Sequence, residues 1–472
     1  MPASTTDPEP GYHGRSQARS PGGPGPYAAT LILVAVALAL PLMMGQRTPF
    51  TLTATQLVLV AGALLAGLLA TLPLRGALPP PPRIWILFFA LFTGTVLLQV
   101  LPLPALAQAF GAYPEALWRY ADFAPRHWSP DIGASLRGWA AFVALFTIAW
   151  IAFGLRSAQR HGIWLALVAT ALFQAIYGVT AHASGADSIL GIWPRNNPDF
   201  VHGTFSNRNL FAAYLALLWP LGVAVWWIRE MPLLARLPRE LKFAGSLLTG
   251  AVIGAALFAS ASRLGSAAAL LGAAVGLLLW SRHRHMLHGH SVWPAYAFLV
   301  MAVLAAAWYG LTPLAERLLA TELEDSRFQV FLLMVHEFPA RWYLHGVGLG
   351  GFEAAFKQIQ PGAISGWYDY AHNDLLQWLV EMGLVGALLL LLVIAGLLRA
   401  AHLSTERVAL YAGLAALALV SLGDFSWHIP ATQVVLALFV GVLLQERSRD
   451  GRRRRRHPGG SAASPSTSAQ QP

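Results

Sequence analysis

Residues 371–377, with the sequence Ala-His-Asn-Asp-Leu-Leu-Gln, form a polar segment directly before a long apolar run, and the glycine-rich stretch 346–351 precedes them. The histidine of this segment, His372, titrates near neutral pH, so it could take a proton from a hydroxyl group as a general base. An ionisable group at the edge of a membrane span is costly to leave unpaired and is by default a candidate functional residue. The sequence therefore predicts a site in which a glycine-rich loop delivers a histidine to the first turn of a helix.

Three polar residues continue from this histidine along the same predicted helix. Asn373, Gln377 and Glu381 are spaced four residues apart, so they form one stripe on a helix face. The helix rises about 13 Å between His372 and Glu381, which places Glu381 within the membrane. A carboxylate facing lipid would be costly, so we expect Glu381 to face the bundle and to fix the helix by pairing with a polar or basic group. A catalytic role for Glu381 is the second possibility, and Asp374 is expected to support the site.

Three arginines are predicted to lie at the same mouth as the histidine: Arg208, Arg263 and Arg327. Arg208 stands between Asn207, a predicted N-cap, and Asn209. A helix N-terminus and a guanidinium together make an anion site, although an interfacial arginine can also extend to water. Arg263 lies in a tight hairpin between two apolar runs, so it either pairs with a carboxylate or lines a cavity. Because a guanidinium can bind phosphate through two hydrogen bonds, the arginines indicate a ligand that contains phosphate.

The elements that must position these residues are membrane-spanning helices. Apolar residues make up 56% of the chain and charged residues 11%, which is far from the composition of a soluble domain. A span needs about 20 apolar residues. Runs of this kind predict an all-α, polytopic helical bundle of about twelve transmembrane helices. The predicted spans are 28–45, 52–74, 84–104, 136–156, 162–182, 208–229, 243–261, 264–281, 292–311, 373–399, 408–424 and 430–446.

The basic residues are distributed unevenly between the two sides of these spans. With loops assigned to alternating sides, the side that carries both termini holds 21 of the 32 Lys and Arg residues. The positive-inside rule makes that side cytoplasmic and puts His372 on the outer face. This distribution accounts for the net charge of +10 without a nucleic-acid partner. The basic run 452–456 predicts contact with anionic membrane lipid instead.

The same pattern divides the chain into four regions. We predict a disordered cytoplasmic tail, N-terminal transmembrane helices, a catalytic membrane region and a basic disordered cytoplasmic tail at 1–27, 28–200, 201–446 and 447–472, respectively. The catalytic region includes a long outer loop, 312–371, and loops of that length tend to be functional. Helical spacing at 316–338 predicts an outer-face helix from which Arg327 projects.

Neither a metal nor a cofactor is predicted. The chain contains no cysteine, which excludes disulfides and thiolate ligands. The tract 282–290 holds four histidines, as metal-binding tracts do. The predicted topology places that tract in the cytoplasm, away from His372, so a solvated loop is favoured over a metal site.

Arginines, a histidine and a membrane together suggest a class of reaction. A donor held in the membrane with its phosphate at the interface would be a lipid-linked substrate. Arginines would offset the charge that develops on a diphosphate leaving group, and the histidine would take a proton from the attacking hydroxyl. This describes glycosyl transfer from a polyprenyl diphosphate-linked sugar, without an obligatory metal. A lipid flippase would also need arginines, so the residue types alone leave both functions open.

Four stretches of the sequence resemble one known family. They are Gly203-Thr-Phe-Ser-Asn-Arg-Asn209 with Ala212 and Tyr214-Leu215; Ser262-Arg263-Leu-Gly265; Arg327 ahead of Pro339 and Gly346-Val-Gly-Leu-Gly-Gly-Phe352; and Ala371-His-Asn-Asp-Leu-Leu-Gln377 with Glu381-Met-Gly383. Over roughly 200–390 the chain resembles the O-antigen ligase and polymerase family. The resemblance implies a multi-pass glycan transferase of the bacterial inner membrane, which uses an undecaprenyl diphosphate-linked glycan at the periplasmic face.

The resemblance also implies roles for single residues. It makes His372 the base and gives Arg263 a contact with the diphosphate. The second arginine is either Arg208, which lies inside a matching motif, or Arg195, which lies nearby without one.

The acceptor stays open at this point. A ligase transfers to the lipid A core, a polymerase to a growing glycan, and a protein O-glycosyltransferase to a Ser or Thr side chain. A lipid or glycan transporter is the alternative from another class. Transporters usually have discontinuous spans at the bilayer midplane, whereas the polar groups here collect at one face.

Overall fold

The fold is described from a computed structural model. The structure describes residues 24–44, 49–71, 78–113, 117, 120, 122, 124–195, 198–229, 231–285, 326–338, 340–362, 364, 366–399 and 403–445.

Sixteen α-helices account for most of the described residues. In chain order they are α1 (Pro24–Leu42), α2 (Pro49–Thr71), α3 (Arg83–Val100), α4 (Pro104–Phe110), α5 (Ile132–Gly154), α6 (Ser157–Ala183), α7 (Arg208–Ala224), α8 (Pro232–Ala235), α9 (Arg239–Ala259), α10 (Arg263–His285), α11 (Ser326–Glu337), α12 (Ala340–His345), α13 (Phe352–Ile359), α14 (Asp374–Arg399), α15 (Thr405–Val420) and α16 (Pro430–Leu443). Two 3₁₀ turns lie at Val225–Trp227 and Ser426–His428, and two short antiparallel strands, Ser188–Ile189 and Trp193–Pro194, form a hairpin after α6.

Among the described residues, nine helices are long and apolar enough to cross a membrane. One further apolar helix, α16, is shorter, with 14 residues, and α15, which covers most of another predicted span, has 16 residues. The prediction of an all-α polytopic membrane protein is therefore confirmed. Eleven of the twelve predicted spans coincide with described helices. The remaining one, 292–311, lies outside the described residues, as do both predicted tails except for the last few residues of the first.

Helix α7 lies at the centre of the bundle. Twelve of its 17 residues are buried, and it packs against α6, α9, α10 and α15. Glycines on the neighbouring helices allow this close approach. A Cβ atom added at Gly265 of α10 would lie 2.5 Å from Cβ of Ala212, and one added at Gly413 of α15 would collide with the carbonyl oxygen of Leu217. Helices α7, α10 and α15 are thus fixed in register with one another.

A buried ion pair joins three helices at the end of the bundle where α6 begins and α16 ends. Nη2 of Arg160 lies 2.9 Å from Oε2 of Glu406, and Trp164 donates its indole N–H to Oε1 of the same carboxylate at 2.6 Å. Nη1 of Arg160 also donates to the side-chain oxygen of Gln445, just after α16, at 2.8 Å. Every charge in this cluster is paired, as burial requires, so the cluster fixes the bundle at that end.

Helix α14 contains a break at Gly383, which has φ +58° and ψ −149°. That backbone conformation is open only to glycine. The break lets the chain at the end of α12 pack directly against α14, and a Cβ atom added at Gly383 would lie 2.5 Å from the carbonyl oxygen of Leu344. The break therefore allows the start of the glycine-rich loop to pack directly against α14.

Replacing Gly383 with alanine is expected to destabilise the protein by more than about 1–3 kcal/mol, because backbone strain and the collision with Leu344 add together. The measurement is the thermal unfolding midpoint of purified protein in detergent. Gly162→Ala is the matched control, since Gly162 lies in α6 with nothing within 4 Å of an added Cβ atom, and alanine favours a helix over glycine by about 1 kcal/mol. An unchanged midpoint for Gly383→Ala would contradict the described break.

Candidate active site

The start of α14 is hydrogen-bonded to the turn that follows α15. The backbone N–H of Asp374 donates to the carbonyl of Ser421 at 2.9 Å, and the amide of Asn373 donates to the carbonyl of Leu422 at 3.0 Å. The side-chain oxygen of Asn373 accepts from the backbone N–H of Leu376 at 3.0 Å, as an N-cap residue does. The polar segment and the turn 421–428 therefore form one unit.

His372 sits at the centre of this unit in a strained conformation. Its φ of +51° is uncommon for a residue other than glycine, and such strain often marks functional sites. Its ring packs edge-on against Phe425 at 5.0 Å, and Nδ1 lies 3.6 Å from Oδ1 of the buried Asp424. Within the part of the chain that the structure describes, this nitrogen makes no hydrogen bond. The side chain stays 17% exposed, so the imidazole is held beside a carboxylate and remains accessible.

The predicted polar stripe faces the protein interior. Glu381 is 2% exposed, and its Oε2 accepts from the backbone N–H of Gly350 at 2.8 Å. Its Oε1 accepts from the side-chain amide of Gln377 at 2.9 Å, and Oε1 of Gln377 accepts from the backbone N–H of Ala371 at 3.0 Å. The stripe thus connects the glycine-rich loop with the polar segment. Glu381 thus accepts from a side-chain amide and from backbone N–H, so of the two kinds of partner expected for it, polar or basic, these contacts are polar.

The glycine-rich loop is anchored from its other side by α3 and the chain around the start of α5. The carbonyl of Gly346 accepts from the indole N–H of Trp128 at 2.9 Å, and the N–H of Leu349 donates to Oε1 of the buried Gln99 at 3.0 Å. Gly348, at φ +106°, packs against Ser129, and an added Cβ atom would lie 2.7 Å from that side chain. Helices from the N-terminal half therefore position the loop that contacts Glu381.

Sequence reasoning missed two residues of this site, Asp424 and His428. Asp374 is fully buried, with Oδ1 lying 2.9 Å from Nδ1 of His428 and Oδ2 accepting from the backbone N–H of Trp427 at 3.0 Å. The signal that could have found them is the polar interruption Gly-Asp-Phe-Ser-Trp-His at 423–428, between the last two apolar runs and on the same predicted side as His372.

The N-terminus of α7 holds Arg208 in an unusual environment. Asn207 caps this helix as predicted, with its side-chain oxygen accepting from the N–H of Asn209 at 2.7 Å. The guanidinium carbon of Arg208 lies 3.9 Å from the centroid of the Phe200 ring, a cation–π contact. Its Nη1 is buried and has no hydrogen-bond partner among the described residues. A buried cationic donor of this kind is suited to an anionic ligand.

Arg195, by contrast, donates hydrogen bonds within its own loop and to the end of α6. It is 8% exposed, and it donates to the carbonyls of Ala181 and Phe200 at 2.8 and 2.9 Å and to Nε2 of His202 at 3.0 Å. Burial lowers the pKa of His202, and the positive charge of Arg195 lowers it further, so this imidazole stays neutral and can accept the hydrogen bond. Of the two arginines, Arg208 therefore has a buried N–H donor without a partner among the described residues, whereas the donors of Arg195 contact its own loop.

Arg263 is the first residue of α10, and its side chain is exposed. The hydroxyl of Ser262 accepts from the N–H of Gly265 at 3.2 Å and caps the helix. Gly265 packs against Ala212 of α7. Leu264, the residue after Arg263, packs against the turn 421–428, since a Cβ atom added at Gly423 would lie 3.0 Å from its side chain. The N-termini of α7 and α10 and the turn that faces His372 therefore lie at the same end of the bundle.

The structure does not locate every predicted residue. Arg327 lies in α11, but its side chain falls outside what the structure describes, as does the part of the histidine-rich tract after His285. Among the described residues, no group of three or more His, Asp or Glu side chains could hold a metal ion.

The fold and the site define a polytopic membrane protein with a histidine–carboxylate cluster and arginines at one end of a helical bundle. Residues 247–391 match the family model of the O-antigen ligases. These residues thus carry the domain of the O-antigen ligase family, which confirms the resemblance noted in the sequence and supports a membrane glycosyltransferase-type role in polysaccharide biosynthesis. The match includes Arg263 and the polar segment, whereas Arg208 and His428 lie outside it. No curated protein matches the chain.

Proposed function

We propose that the protein transfers a glycan from an undecaprenyl diphosphate-linked donor to an acceptor hydroxyl at the periplasmic face of the bacterial inner membrane. The observation that carries this proposal is the placement of His372. The imidazole lies at the mouth of a membrane-crossing helix, beside the carboxylate of Asp424 and partly exposed. Arginines at the starts of α7 and α10 lie at the same end of the bundle.

The proposed reaction assigns one task to each group. His372 takes the proton of the acceptor hydroxyl, and the oxygen attacks the anomeric carbon of the donor sugar. The bond from that carbon to the phosphate oxygen breaks, and undecaprenyl diphosphate leaves with the electron pair. Arg208, Arg263 and Arg327 offset the negative charge that develops on the diphosphate. Arginines can supply this stabilisation themselves, so the proposal requires no metal or cofactor.

The acceptor decides which member of the family this is. We favour an O-antigen ligase that transfers to the lipid A core, with a polymerase or a protein O-glycosyltransferase as the alternatives. A strain that lacks the gene distinguishes the first two. Lipid-linked polymer accumulates if a ligase is missing, and single repeat units accumulate if a polymerase is missing. Normal surface glycans together with unglycosylated target proteins would point to the protein acceptor.

The orientation in the membrane gives a separate prediction. The distribution of basic residues places Gly362 in the periplasm and Gly289 in the cytoplasm. An alkaline phosphatase fusion at Gly362 is therefore expected to be active, and one at Gly289 inactive, with the reverse result for green fluorescent protein fusions. The opposite pattern would place His372 on the cytoplasmic side and overturn the proposed use of a periplasmic donor.

One observation favours a transporter as a second candidate. Discontinuous helices are typical of transporters, and α14 is broken at Gly383. The break is filled by other parts of the protein: the chain at 344–346 packs against Gly383, the amide of Gln99 donates to the carbonyl of Glu381 at 3.3 Å, and the indole N–H of Trp378 donates to the carbonyl of Gly386 at 2.8 Å. A transferase forms a glycosidic bond in detergent, where no second compartment exists, whereas a transporter moves its substrate only between two compartments.

A further inference from the structure

Two histidine–carboxylate pairs cross between the polar segment and the turn 421–428. His372 of the segment faces Asp424 of the turn at 3.6 Å, and His428 of the turn contacts Asp374 of the segment at 2.9 Å. Two aromatic rings connect the pairs: Phe425 packs on His372 at 5.0 Å and stacks on Tyr370 at 4.6 Å, and Tyr370 packs on His428 at 4.8 Å. The second pair is the closer one, and its aspartate is fully buried.

The hydrogen bonds around Gln377 assign the protonation of His428. The backbone N–H of Ala371 can only donate, so the atom of Gln377 that it contacts at 3.0 Å is the carbonyl oxygen Oε1. The amide nitrogen of Gln377 consequently faces His428, 3.3 Å from Nε2, and Glu381, 2.9 Å from Oε1. Nε2 of His428 must then accept, so the proton of a neutral ring is on Nδ1 and is donated to Asp374.

This arrangement makes His428 a link between two buried carboxylates. It donates to Asp374 directly and is joined to Glu381 through Gln377. The backbone N–H of Trp427 adds a second hydrogen bond to Asp374 at 3.0 Å. Asp374 therefore holds the end of the turn against the start of α14. Asp424, the carboxylate that faces His372, lies in the same turn.

We propose that His428 is a positioning residue for His372, because its hydrogen bond to Asp374 sets the turn so that Asp424 faces the His372 imidazole. The role rests on the proposed transfer reaction. His428 acts here through its Nδ1–H donor and not by exchanging a proton with the substrate. Loss of that donor leaves one oxygen of the buried Asp374 carboxylate unpaired, frees the turn and separates Asp424 from His372.

Three substitutions of His428 separate this role from its alternatives. Asparagine places an amide N–H close to the position of Nδ1 but has no atom that could accept a proton at the position of Nε2. His428→Asn is therefore expected to keep the transfer rate within about threefold of wild type and to keep its pH profile. His428→Ala and His428→Gln lose the donor at Nδ1, so their turnover should fall about 10- to 100-fold, the size typical of a hydrogen bond to a charged group. The Michaelis constant for the donor should stay unchanged.

The assay uses the full-length protein in liposomes with an undecaprenyl diphosphate-linked glycan, and turnover is expressed per folded protein. His336→Asn, at an exposed histidine of α11, is the control. If His428→Asn and His428→Ala lose activity equally, His428 itself exchanges a proton during the reaction, and the positioning role is wrong. If the variants lower only the unfolding temperature and leave turnover intact, the role is merely structural and the proposal also fails. Should the Ala variant not fold, the comparison of Asn with Gln decides. A wild-type protein without transfer activity would overturn the proposed function instead.

Discussion

Replacing His372 with glutamine is expected to slow glycan transfer about 10²- to 10⁴-fold, the usual contribution of a general base. Glutamine keeps a hydrogen-bonding group at a similar distance but cannot usefully accept the proton of the acceptor hydroxyl. His372→Ala should be at least as slow. Binding of the lipid-linked donor should persist in both variants, because the arginines remain in place. The measurement is the turnover of purified variants in detergent or liposomes, with donor binding measured separately.

The competing explanation gives His372 a role only in helix capping or loop anchoring. A cap contributes about 1 kcal/mol of local stability and would not abolish turnover. The structure already gives the capping contact to Asn373, which accepts from Leu376. A rate for His372→Gln within threefold of wild type, with folding intact, would mean that another group is the base. Asp369, Glu353 and Asp374 would be tested next, although both oxygens of Asp374 are engaged and Glu353 pairs with Lys357.

Replacing Arg263 with lysine is expected to reduce transfer about 10²- to 10³-fold, as does the loss of a donor that stabilises a developing negative charge. Lysine keeps the charge but lacks the planar fork that binds two phosphate oxygens at once. The rate of transfer by Arg263→Ala should be lower still. The measurement is the initial rate of transfer at several donor concentrations, since a diphosphate contact that forms on donor binding and strengthens in the transition state changes both the Michaelis constant and turnover.

Arg239→Ala is the matched control for this prediction. Arg239, like Arg263, is an exposed first residue of an apolar helix. It begins α9, which runs the length of the bundle before the hairpin that leads to Arg263, so the two arginines lie at opposite ends. Transfer should be unchanged in Arg239→Ala. Full activity in Arg263→Ala would exclude a phosphate role for that residue and would leave Arg208 and Arg327 to hold the diphosphate.

The features that the sequence predicted are local. The Asn207 cap of α7 was visible because one side chain and the next few backbone N–H groups decide a helix start. The stripe of Asn373, Gln377 and Glu381 was visible because spacing by four residues fixes a common helix face. The cost of a carboxylate in lipid correctly predicted that Glu381 faces the interior.

The features that the sequence did not predict depend on pairing between distant segments. His428 contacts Asp374 across 54 positions, and no periodicity encodes such a contact. The break at Gly383 exists because α12 packs against it, so its cause lies about 40 residues earlier. The structural contacts of Arg195 follow from the carbonyls of Ala181 and Phe200, which the folded loop brings to it. Spacing along the sequence shows neither carbonyl.

The proposed function requires that the protein forms a glycosidic bond at the site of His372. The most direct test of this reaction incubates the purified full-length protein in detergent with an undecaprenyl diphosphate-linked glycan and a lipid A-core acceptor, and follows both products. Wild type is expected to release undecaprenyl diphosphate and to form acceptor-linked glycan in equal amounts, and His372→Gln to form almost none. If no glycosidic bond forms with lipid A-core, glycan or protein acceptors, and the reconstituted protein instead moves the intact donor across a liposome membrane, the protein is a transporter and the proposed transferase function is wrong.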